Sequence, residues 1–254
     1  MYVLAANTGN EALSSMSGAF LTMALFSIIV EIFIFIMYDF RFWGKRVGAQ
    51  SAFGISFLFF YIGLFGWMLV TGSGTFSVLD QMALFSSVSG DLSPFQRLYF
   101  NLFVAPLIEE NFFRISLPVF LFLLFKGMFD SLGEIPVLSR GWFQIGLAGV
   151  LSSAGFAAFH TNQLGNTPFV WQAFIFASVL SILFLGDLFY NIIGGVTIVP
   201  ALLVGIHLSN NLMYFGVGEA LAVLTGSVFG WVILGLFAFT FIVALNEAYL
   251  VVAG

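Results

Sequence analysis

The chain contains no cysteine, which excludes disulfides, thiolate nucleophiles, thiolate metal ligands and lipidation on sulfur. Charge is nearly as scarce. Only 7% of the 254 residues are charged, where a soluble domain carries about a quarter. The 7 basic residues are outnumbered by 12 acidic ones, so the chain lacks the basic surface that nucleic acid would need. Histidine occurs twice, at His160 and His207. Neither an internal repeat nor the alternating pattern of an outer-membrane barrel is present. The opening MYVLAANTGNEALSSMSG lacks the positive stretch that begins a signal peptide, so the first apolar run is expected to stay as a span.

Apolar side chains fill the space that these absences leave. The sequence is 61% hydrophobic and 19% aromatic, with a mean hydropathy of +1.09. No water-soluble interior is large enough to hide that much apolar surface. The expected fold is all-α: a polytopic transmembrane helical bundle of seven to eight spans, forming a single integral membrane domain over 1–254. Apolar runs predict spans at about 18–38, 51–72, 142–160, 166–186, 190–215 and 220–250. Residues 76–88 read as a moderately apolar, interfacial piece. A further helix starts at SPFQ, with Ser93 as cap and proline at the first position, and extends to about Lys126. Pro106 and Pro118 are placed to kink or divide it. Gly146, Gly149 and Ser153 recur at helical spacing, which lets helix backbones approach closely.

Basic residues set the expected orientation. Arg41, Lys45 and Arg46 flank one loop, and Lys126 and Arg140 flank another on the same side if 94–126 crosses once. Asp80, Asp91 and Glu219 lie opposite. The expected N-terminus is outside, in a cytoplasmic membrane if the source is prokaryotic.

Against this background the stretch APLIEENFFR, 105–114, is conspicuous for three charges. Each would cost about 2.5–3.5 kcal/mol at the centre of a spanning helix unless it were paired or used. Glu110 and Arg114 are four apart and share a helix face, as an ion pair requires. Glu109 is turned about 100° from Glu110, so one arginine does not neutralise both squarely. In FAAFH, Phe156 and His160 share a face; in HLSNN, His207 and Asn211 do. A carboxylate beside an imidazole in a partly dry cavity can activate water, the carboxylate taking the proton. A second imidazole and an amide can donate to a developing oxyanion. That set suits hydrolysis of an amide or ester near the bilayer.

EENFFR (109–114), FAAFH (156–160) and HLSNN (207–211) occur in the order of EExxxR, FxxxH and HxxxN. In this the chain resembles the type II CAAX prenyl endopeptidase and bacteriocin-processing (CPBP, ABI) family. The likeness covers 94–215, a motif-bearing CPBP-like core, and leaves the first two spans and the last outside it. It implies an intramembrane glutamate protease that uses no metal and no cofactor. Glu109 with His160 would activate water, and His207 and Asn211 would hold the oxyanion. Glu110, Arg114 and Phe156 would support them. The implied partners are membrane lipids and a peptide or lipidated-peptide substrate. In the prenyl-protein members the cavity opens to the cytosol, whereas the charge pattern here puts His160 and His207 on the outer side.

Three other readings fit parts of the same pattern. YD at 38–39, LGD at 185–187 and PAL at 200–202 suggest a two-aspartate protease, but Phe184 stands where GxGD needs its first glycine. Zinc on Glu109, His160 and His207 is chemically reasonable, yet HExxH is missing. The third is a non-catalytic scaffold, immunity factor or accessory subunit of a membrane complex.

Overall fold

The computed structural model describes residues 11–37, 41–42, 45–72, 93–131, 137–164, 167–192 and 198–253. Within them the fold is helical apart from a short antiparallel pairing of β1 (Arg41–Phe42) with β2 (Lys45–Arg46). The helices are α1 (Glu11–Met37), α2 (Ala49–Gly72), α3 (Pro94–Ser131) and α4 (Gly141–Leu164). They continue as α5 (Thr167–Tyr190), α6 (Ile198–Phe215), α7 (Val217–Thr225) and α8 (Val228–Ala253). The 76–88 piece, Asp80, Asp91 and the YD pair at 38–39 lie outside the described residues.

Among the described residues three helices are long and apolar enough to cross a membrane: Ser51–Val70, Pro94–Ser131 and Val228–Leu250. A fourth is added if α6 and α7 count as one broken span. These are compatible with an integral membrane protein. The described apolar parts of α1 and α5, Gly18–Ile34 and Phe174–Tyr190, are shorter.

The expected run at 220–250 is in fact two helices. α6 and α7 are bent by 93°, and Gly216 at the corner has φ +91°, a conformation that only glycine adopts without strain. Its N–H returns to the Leu212 carbonyl, closing the end of α6. His207 is the tenth of the 18 described residues of α6.

α3 is the hub. Its start contributes Leu98 and Leu102 to a core with α2, α6, α7 and α8. Its last part contributes Val119 and Phe122 to a core with α4, α5 and α6. Its middle, through Phe100, Ala105 and Phe113, joins Phe20 and Met23 of α1 and Phe156 of α4. Ser93 caps it as expected, and Gln96 answers in a capping box that the structure adds.

Glycines let α2 and α6 cross closely. A side chain at Gly63 would strike the Leu202 carbonyl, and one at Gly205 would strike the Phe60 carbonyl. Gly149 does the same for α4 against Ile182 of α5, whereas Gly146 faces open space.

Candidate active site

Glu109 and Glu110 end a short α-helical turn, Ala105–Glu110, directly before a π-helical stretch, Asn111–Ser116. At 1.5 Å rise per residue, Glu110 lies about 24 Å along α3 from Pro94, well inside an apolar helix. The prolines explain why α3 bulges without breaking. A π turn precedes each of them, at Phe100–Val104 before Pro106 and at Asn111–Ser116 before Pro118. In the second stretch the Leu117 N–H returns to Phe112, not to Phe113. Pro118 has no N–H to offer, so the Phe113 carbonyl loses both helical donors. The buried Ser152 hydroxyl of α4 donates to that carbonyl. A serine from a neighbouring helix thus completes the bulge that follows the two glutamates.

Glu109, Glu110 and Arg114 are each at least nine-tenths buried. Arg114 Nε lies 3.3 Å from Glu110 Oε2, the pair expected from their spacing. The guanidinium carbon sits 4.0 Å from the centre of the Phe156 ring, a cation–π contact from α4. Phe156 in turn meets Phe113 edge-on, with ring centres 5.4 Å apart. From α6, His207 Nδ1 lies 2.8 Å from Glu110 Oε1. With Glu110 ionised its carboxylate only accepts, and Nδ1 is then the donor. His207 Nε2 is then turned toward Glu109, 3.9 Å from Oε2. That is too long for a direct hydrogen bond, but a water to one side, about 2.8 Å from each atom, can bridge them.

The fold therefore brings together Glu109, Glu110, Arg114, Phe156 and His207 from α3, α4 and α6. Asn211 lies one turn beyond His207 on the same face of α6 and is partly buried. His160 lies one turn beyond Phe156 on α4, and its side chain is outside the described residues, as is Asn166. The sequence reading puts His207 in one site with Glu109, His160 and Asn211; its bond to Glu110 comes from the packing of α6 on α3. Ser152 went unremarked. The signal for it was a serine in an apolar span, facing a helix whose proline leaves a carbonyl without a donor. Among the described residues no three imidazole and carboxylate groups converge as a metal would require. The LGD aspartate, Asp187, is buried near the end of α5.

Comparison with family models, with curated proteins and with solved structures returned no match for this chain, so any case for activity rests on the three motifs and this buried cluster.

Proposed function

We propose that the chain is a CPBP-type intramembrane endopeptidase. The observation that supports this most is His207 set beside two adjacent buried carboxylates, hydrogen-bonded to Glu110 and facing Glu109. In this reading Glu109, with His160, takes a proton from a water whose oxygen attacks the scissile carbonyl carbon. The oxyanion receives hydrogen bonds from the Asn211 amide and from His207 Nε2 in its doubly protonated form. The proton on Glu109 then passes to the leaving nitrogen as the C–N bond breaks. Arg114 and Glu110 fix the ring of His207, and Phe156 fixes Arg114. The substrate is a membrane-embedded peptide, with or without an attached lipid. The finer topology belongs to the same proposal: seven to eight spans, the N-terminus outside, and the motif-bearing core at 94–215.

A second reading is a non-catalytic member of a membrane complex. The Glu110–Arg114–Phe156–His207 chain favours it, because such a set also locks α3, α4 and α6 together. The two readings part on what Glu109 does, a general base in the first and one more buried carboxylate of the cluster in the second. New peptide N-termini in membranes containing the wild-type protein, absent with Glu109→Gln at equal abundance, are the expected result. Identical N-termini in both, with the cellular phenotype retained, would leave the scaffold reading standing. Labelling a cysteine placed at Asn166 from each side of the membrane checks the orientation.

A further inference from the structure

An apolar cavity of about 350 Å³ opens between α2, α3, α6 and α8. Its volume falls in the range of small-ligand sites, about 300–1,000 Å³. Two of its walls come from the helices that carry the charged cluster. Leu102, Phe103 and Leu107 line it from α3, and Ala201, Val204 and Leu208 from α6. No lining residue is charged.

The few hydroxyls in the wall are turned into the backbone. Ser56 donates to the Ala52 carbonyl at 2.7 Å, and Tyr61 donates to the Phe237 carbonyl at 2.7 Å. The Thr240 hydroxyl has the Leu236 carbonyl 2.9 Å away. No hydroxyl proton is left over for a ligand. A peptide in this space would bring C=O groups that find no donor, at several kcal/mol each. Water gains nothing there either, since it needs two to four polar partners. A flexible hydrocarbon chain loses no hydrogen bonds on entering. The rim gives it a way in from the side, because Phe53, Leu107 and Leu236 are exposed on the apolar outer surface.

We propose that this cavity holds one acyl chain of a bilayer phospholipid, entering laterally between α2, α3 and α8. The site is separate from the charged cluster and does not rest on the protease reading. It shares α6 with that cluster, since Leu208 lines the cavity and His207 is its neighbour in the chain.

The test is native mass spectrometry of the full chain, delipidated in mild detergent and then mixed with a phosphatidylethanolamine carrying a diazirine in one acyl chain. The wild type should retain about one phospholipid, in keeping with a single site of this size. Crosslinks should fall in 53–61, 102–107, 201–208 and 236–240. Val204→Phe and Ala201→Phe, which fill the space, should each lose that lipid. If either fails to fold, Leu236→Trp at the rim replaces it and should show the same loss. Equal retention in the filled variants, or crosslinks spread evenly over the exposed faces of α5 and α8, would overturn the proposal. So would a wild type that retains no lipid.

Discussion

His207 and Leu208 are consecutive residues of one helix, yet they face regions of opposite character. His207 enters a cluster where a carboxylate, a guanidinium and an aromatic ring follow one another at 2.8, 3.3 and 4.0 Å. Leu208 lines a cavity whose polar groups are spent on the backbone and whose remaining space is empty of protein. Both regions are built on α3 and α6, so the contrast is not one of depth or of helix. In an apolar medium charges are tolerable only when matched closely, which forces tight geometry. Apolar walls face no such demand, because a hydrocarbon neighbour from protein or lipid satisfies them equally. The cluster should therefore be brittle, and the cavity tolerant.

The sharpest way to break this contrast is chemical. Glu109→Gln keeps the shape of the side chain and removes the base, so proteolysis should fall by about 10²-fold or more. Quantifying the wild-type-specific N-termini against protein abundance measures it, and unchanged cleavage would refute the role of Glu109. Next in size is Arg114→Ala, which leaves the buried Glu110 carboxylate without its cation. A loss of about 3–5 kcal/mol in unfolding free energy is expected, read from denaturation in detergent. Combining Arg114→Met with Glu110→Gln should cost clearly less than the two changes added separately, because neither partner is then left charged alone.

Ser152→Ala removes the donor to the Phe113 carbonyl and should cost about 1–3 kcal/mol, the penalty of an unsatisfied buried acceptor. Phe156→Leu removes the ring beneath Arg114 and should cost about 0.5–2 kcal/mol beyond its packing loss. The smallest effect belongs to the cavity. Val204→Ala enlarges a space that already exists and should cost no more than about 1.5 kcal/mol. If Val204→Ala proved as costly as Arg114→Ala, the distinction between brittle cluster and tolerant cavity would fail.

Parts of the site were legible beforehand because they depend on local spacing. Glu110 and Arg114 lie one turn apart, and any helix brings them together. Ser93 followed by proline announces its cap in the same way. The union of His207 with Glu110 is different, since 97 residues separate them and no helical period relates them. It exists because Gly63 and Gly205 let α2 and α6 approach, while the start of α3 packs on both. The break after Phe215 had a partial signal in Gly216. The sequence pattern alone could not distinguish a glycine that bends a span from the small residues that let spans pack.

The sequence by itself determined that the chain is helical and apolar enough for a membrane, and that three of its scarce charges fall inside one apolar run at 109–114. Composition and a 3.6-residue period carry that information, and neither depends on how the helices meet. Only the tertiary structure decided which carboxylate His207 engages and that Ser152 repairs the π turn beyond it. It alone placed an apolar cavity on the flank of the helices that carry the charges. These depend on close approach between helices, and close approach is set by the shapes of surfaces that no single segment contains.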